Sequence, residues 1–102
     1  MRLNAKQVAA CTGGTILIEP LGSRSLMTGV TWDSREVQEG WLYVALPGER
    51  ADGHDFVAAA LRAGAAGALV MQAPDAPTML LAREMGAAVI EVPGTAAAIT
   101  DL

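Results

Sequence analysis

Short apolar blocks broken by polar and glycine-rich punctuation open the chain, and a regular strand-and-helix rhythm follows. Asn4 can cap a short helix running to Ala10 or Thr12, which Gly13-Gly14 stops. "TILIE" reads as a strand because β-branched residues fill it. "PLGSRS" has the composition of a turn-forming connection, and "LMTGVTWDS" that of a second extended segment. "VQEG" turns the chain into "WLYVAL", a buried strand over residues 41–46.

From there the period changes between 2 and 3.6. "DFVAAALRAGA" predicts a helix near residues 55–63, with Phe56, Ala60 and Ala63 on one face and Gly64 ending it. "GALVM" (67–71) is a short apolar strand. "APTMLLAREMG" is a helix over about 77–85, with Pro77 in its first turn and Gly86 just past its end. "AVIEV" (88–92) is the next strand, and "TAAAITDL" starts a helix with Thr95 as its expected cap. Strand–helix–strand alternation over 41–92 requires crossovers and parallel pairing. The fold class expected is α/β, one domain over residues 1–102, with a small, mixed and mostly parallel sheet flanked by helices. The last helix runs to the end of the sequence, so further chain is expected beyond it.

Composition narrows the classes. Of the 102 residues, 52% are hydrophobic and 18% charged, the balance of a folded globular chain. A net charge of −4 and one lysine, Lys6, argue against a nucleic-acid partner, which needs clustered basic residues. No apolar run approaches the roughly 20 residues of a membrane span. The first residues lack the apolar core of a signal peptide, so the cytoplasm is the expected compartment. The single cysteine, Cys11, excludes an internal disulfide and a cysteine-based zinc cluster, and reads as a small residue of the first helix.

Residues 31–56, "TWDSREVQEGWLYVALPGERADGHDF", hold the one His, both Trp, the one Tyr and the one Phe. The "PGERADG" loop follows a strand and precedes a helix, where open α/β sheets bind ligands. Gly48 and Gly53 permit close backbone approach, and a helix starting near His54 or Asp55 offers free N–H groups. The plain alternative is a solvated turn with Asp52 or Asp55 as the helix cap. In "TWDSR", strand alternation puts Trp32 and Ser34 on one face and Asp33 and Arg35 on the other. Trp32 and Ser34 suit a heterocyclic ring, whereas an Asp–Arg pair more often fixes a turn. His54 fits a helix terminus better than a catalytic base. No G-x-x-x-x-G-K-[ST] phosphate loop, histidine-rich metal spacing or G-x-S-x-G elbow is present. From residues alone, the segment is a binding site without catalytic machinery.

"GVTWDSREVQEGWLYVALPGERADGHDFVAAALRAGAAGALV" resembles the N-terminal domain of the Mur ligases, which extend the peptidoglycan stem peptide. Their pattern, approximately DSR-x-V-x-x-G-x-L-[FY]-V-A-L-x-G-x-x-x-DGH-x-F, is matched from Asp33 onward. "GGTIL", "GERADGHDF" and "VPGTAAAITDL" look more like the branch that adds D-alanyl-D-alanine to UDP-N-acetylmuramoyl-tripeptide. The other branch adds diaminopimelate or lysine to UDP-N-acetylmuramoyl-dipeptide. The resemblance implies ATP- and Mg-dependent amide formation by the full-length ligase, with ATP held in a separate central domain. It implies no cofactor in the first domain, which anchors the UDP end of the precursor and is inactive alone.

The site residues carried over by the resemblance are Trp32, by apolar contact, and Ser34, by hydrogen bond to the uridine. Arg35 is shared between the diphosphate and a loop-holding pair with Asp33. Glu49, Arg50 and Ala51 form a loop closing over the uracil largely through backbone groups. Asp52, Gly53 and His54 shape that loop. Trp41 stands where the family usually has Asp, and Tyr43 where Phe is common. Two other classes stay open: a stand-alone nucleotide-binding module, and an interaction domain using the Trp32–Trp41 region. A G-T-x-G-K-T loop encoded soon after Leu102 would favour the ligase.

Overall fold

Reciprocal capping starts the first helix. The Asn4 side chain accepts the Gln7 N–H at 2.8 Å, and the Gln7 side chain accepts the Asn4 N–H at 2.9 Å. The helix they open, α1 (Ala5–Thr12), ends at Gly13, whose φ of 69° is the left-handed conformation that glycine adopts without a Cβ penalty. The computed structural model describes residues 1–21 and 26–102, so most of the "PLGSRS" connection lies outside the described residues.

Among the described residues, seven strands form two sheets. Leu3–Asn4 (β1) pairs antiparallel with Leu26–Met27 (β3) in a two-stranded sheet. The main sheet contains Thr15–Ile18 (β2), Val30–Thr31 (β4), Leu42–Val44 (β5), Gly67–Val70 (β6) and Ala88–Glu91 (β7). Its order is β2-β7-β6-β5-β4, with β4 through β7 parallel and β2 antiparallel to β7 at one edge. Between β5 and β6 the chain crosses through α2 (Val57–Arg62), and between β6 and β7 through α3 (Ala76–Met85). The last helix is α4 (Thr95–Asp101). The expected parallel strands and their crossovers are therefore present, each strand somewhat shorter than its apolar run.

Strand alternation sorts the core into two layers. Tyr43, Ala68, Val70 and Val89 point to the side of α2 and α3. Leu42, Val44, Leu69 and Ile90 point to the opposite layer with Val8 of α1 and Ala98 of α4. Burying each of the larger aliphatic side chains contributes about 1.5–3 kcal/mol. Alanines at 60, 82 and 88 are fully buried, so the helices lie close to the sheet.

Three local expectations need correction. "LMTGVTWDS" is not one extended segment: β3 belongs to the small sheet, β4 ends at Thr31, and Ser34–Glu36 is a 3₁₀ turn. The helix after β5 opens with a 3₁₀ turn at Gly53–Phe56 and then presents Val57, Ala60 and Leu61 to the core. Phe56 and Ala63 are exposed, because the tighter turn rotates the face by one position. Thr95 is not the cap of α4; Gly94 holds that position, and the Thr95 hydroxyl is buried without a hydrogen-bond partner among the described residues.

Candidate functional site

Parallel pairing of β4 and β5 aligns Thr31 with Tyr43, so both strands deliver their C-terminal ends to the same edge of the sheet. Side chains leaving the two ends meet there. At the β4 end, Asp33 prevents the strand from continuing. Its carboxylate accepts the Arg35 N–H at 2.9 Å and caps the Ser34–Glu36 turn. At the β5 end, the chain loops out at Pro47 and returns at Gly53, whose N–H donates to the Leu46 carbonyl at 2.7 Å. Gly53 has to be glycine here: a Cβ would lie 2.6 Å from the Leu46 nitrogen and 2.8 Å from its oxygen.

Between these two exits lies an open cleft of about 600 Å³, within the range of small-molecule sites. Trp32, Ser34 and Arg35 line it from the β4 end, and Ala51 from the loop. Of the residues expected to gather here, Glu49 and Arg50 do not line the cleft; they sit exposed on the loop. The split of "TWDSR" into two faces is also corrected. The chain coils after Trp32, and all four of Trp32 to Arg35 border the cleft.

Tyr43 and Phe56 complete the walls, and neither stands out in the sequence as a site residue. Tyr43 alternates against Leu42 and Val44, a register visible in the sequence. Phe56, expected on a buried helix face, is instead 42% exposed, while Trp32 is 57% exposed. Two aromatic rings left in water at one concave site mark a surface suited to an apolar, planar ligand face.

Charge at the site is mostly internally paired. Arg35 holds Asp33 through two bonds, Nε to Oδ1 at 3.0 Å and Nη2 to Oδ2 at 2.8 Å. The Arg35 side chain and then its backbone N–H hold the Asp33 carboxyl below the usual carboxylate range. The same pair pushes the Arg35 guanidinium up. Arg35 is otherwise largely in solvent, so the pair fixes the turn and leaves the remaining guanidinium N–H groups for a ligand. Burial, followed by the Asp33 and Asp52 charges, pushes the Tyr43 phenol up to about 12. Its hydroxyl donates to the Gly53 carbonyl at 2.7 Å.

His54 serves the scaffold. Its Nδ1 lies 2.7 Å from the Asp52 carboxylate, and its Nε2 accepts the Met71 N–H at 2.9 Å. An accepting Nε2 carries no proton, so Nδ1–H is the donor to Asp52. Asp52 also accepts the His54 N–H at 3.0 Å and caps the 3₁₀ turn, which closes the helix start that "PGERADG" offers on paper as an anion site. That backbone bond and then the His54 ring keep the Asp52 carboxyl below its ordinary value. Trp41 lies away from the cleft, its indole covering Gly29. Among the described residues no three His, Cys, Asp or Glu side chains group to hold a metal ion. No helix among them is long and apolar enough to cross a membrane.

Relatives resemble the chain in sequence and in architecture. The chain is 39% identical over 100 residues to a UDP-N-acetylmuramoyl-tripeptide–D-alanyl-D-alanine ligase of Mycobacterium bovis, covering 95% of this chain and 18% of that one. It is 49% identical over 55 residues to a UDP-N-acetylmuramoyl-L-alanyl-D-glutamate–2,6-diaminopimelate ligase of Chlorobaculum tepidum, covering 54% of this chain and 11% of that one. The crystal structure of MurF from Acinetobacter baumannii superposes with a TM-score of 0.79 at 27% identity, over 100% of this chain and 20% of that chain. The chain thus spans about a fifth of the ligases it matches, and its fold resembles their N-terminal domain. A family model described as Mur ligase family, catalytic domain, matches residues 26–102, and the chain belongs to the Mur ligase family.

Proposed function

We propose that this chain is the substrate-anchoring domain of a cytoplasmic, ATP-dependent ligase that adds D-alanyl-D-alanine to UDP-N-acetylmuramoyl-tripeptide. The observation that carries this reading is the cleft at the joined ends of β4 and β5, lined by Trp32, Ser34 and Ala51 of the motif. In it, Trp32 provides an apolar wall for the uridine and Ser34 a hydrogen bond. Arg35 offers its free edge to the diphosphate. Glu49 and Arg50 extend from the rim as part of the loop that closes over the base.

Such a site acts on the reaction from a distance. Holding the nucleotide end restrains the rest of the precursor, so binding energy remote from the reacting carboxyl is used to orient it. The sequence has no phosphate loop, and the described residues contain no carboxylate cluster for a metal. In this reading ATP and Mg²⁺ belong to the remaining domains of the ligase, whose substrate is a UDP-N-acetylmuramoyl-peptide. The 102-residue chain is accordingly expected to show no ATP turnover; contaminant-free hydrolysis by it would refute the assignment.

A titration of the chain with UDP-N-acetylmuramic acid, followed by amide NMR, tests the anchoring role. Shifts are expected at residues 32–35 and 48–54, with 72–87 spared. Shifts centred on α3, or none at saturating ligand, would overturn it. The diaminopimelate-adding activity is the second reading, favoured by the higher identity of the shorter match. The match over 95% of the chain supports the D-alanyl-D-alanine branch instead. Ligation assays of the full-length enzyme, offering each amino substrate with its own precursor, separate the two.

A further inference from the structure

Packing alone does not account for the hydroxyl of Tyr43. The residue is 1% exposed and belongs to the core layer of Val57 and Leu61, a volume that phenylalanine would fill equally well. The hydroxyl instead donates to the Gly53 carbonyl at 2.7 Å. The N–H of the same glycine donates to the Leu46 carbonyl, also at 2.7 Å. Both backbone groups of Gly53 are thereby held, one by a strand residue and one by the backbone at the loop's start. Residues 47–51 between these ties are all exposed. The 3₁₀ turn that begins at Gly53 ends at Phe56, so the same clasp also sets where that ring enters the cleft.

We propose that the Tyr43 hydroxyl is a positioning group for nucleotide binding, clasping Gly53 so that Ala51 of the 47–52 loop and Phe56 stand against the cleft before the ligand arrives. The role rests on the reading of the cleft as a nucleoside-diphosphate site. Holding the loop in advance removes part of the ordering cost that binding otherwise carries. Burial and the Asp33 and Asp52 carboxylates push the phenol up to about 12, so it remains a donor throughout the neutral range.

Tyr43→Phe keeps the ring and removes the clasp. In the 102-residue chain the dissociation constant for UDP is expected to rise about three- to tenfold, the range for one lost hydrogen bond. Amide exchange at Gly53 should quicken by a similar factor while Leu69 and Ile90, in the central strands, exchange as before. That local pattern separates positioning from a general loss of stability. An unchanged dissociation constant, or faster exchange spread evenly through Leu69 and Ile90, would overturn the proposal. If the unaltered chain binds no UDP at all, the nucleotide reading fails. The exchange comparison then decides the clasp by itself, quickening at Gly53 alone upholding it and any other pattern refuting it.

Discussion

Replacing Gly53 by alanine drives a methyl group into backbone that cannot swing aside. The added Cβ would stand 2.6 Å from the Leu46 nitrogen and 2.8 Å from its oxygen. Restoring ordinary contact at 3.4 Å parts the two segments by about 0.8 Å. The 2.7 Å bond from the Gly53 N–H to the Leu46 carbonyl would then stretch past the roughly 3.2 Å limit of a sound hydrogen bond. Overpacking of this kind costs roughly 1–3 kcal/mol. Gly94→Ala is the matched control, since no described atom lies within 4 Å of its added Cβ. Glycine outranks alanine at an N-cap, so the replacement there should cost roughly 0.5–1 kcal/mol with no steric clash added. Urea unfolding followed by circular dichroism gives both values, and a UDP titration of each variant reports the cleft. Gly53→Ala is expected to lose stability and UDP binding together, and Gly94→Ala to lose less stability and to bind UDP as before. Equal stability of the two variants would refute the close approach of Gly53 to Leu46.

Other consequences are as direct. Ser34→Ala should weaken UDP binding by no more than roughly tenfold, the worth of one hydrogen bond, read by calorimetric titration; a larger loss would mean the turn itself had collapsed. The Tyr43 phenol, raised from its ordinary value of 10.0 to about 12, favours the folded state while protonated. Its contribution is complete below about pH 10 and is lost as pH rises through about 12, by roughly 2–3 kcal/mol. Because Tyr43 is the single tyrosine, phenolate absorbance reports it alone, and Tyr43→Phe should lack that part of the alkaline loss. His54→Ala leaves the Met71 N–H without its acceptor and should cost about 1–3 kcal/mol in urea unfolding; a change under about 0.5 kcal/mol would remove His54 from the scaffold.

Local chemistry makes much of this molecule readable from its sequence. Asn4 with Gln7, and glycines 13 and 86 in left-handed conformation, bound their helices where the composition requires. The alternation of short apolar strands with helices is enough for parallel pairing, because only a crossover can join such strands. The ordered match from Asp33 onward implies that Trp32, Ser34, Arg35 and Ala51 lie near one another, and β4 beside β5 supplies the geometry for it.

What the sequence could not decide depended on partners brought together only in the folded chain. Trp32 to Arg35 follow strand alternation on paper, yet Asp33 draws the Arg35 backbone and guanidinium to itself and coils the segment. A 3₁₀ opening turns Phe56 out of the core and into the cleft, since one extra rotation separates it from the face carrying Val57. Tyr43 reads as one more core aromatic until Gly53, ten residues later, comes within reach of its hydroxyl. His54 reads as a helix end until Met71 arrives from the end of β6. Periodicity reports which face a residue is offered to, but hydrogen bonds closed by tertiary packing determine where its polar atoms go.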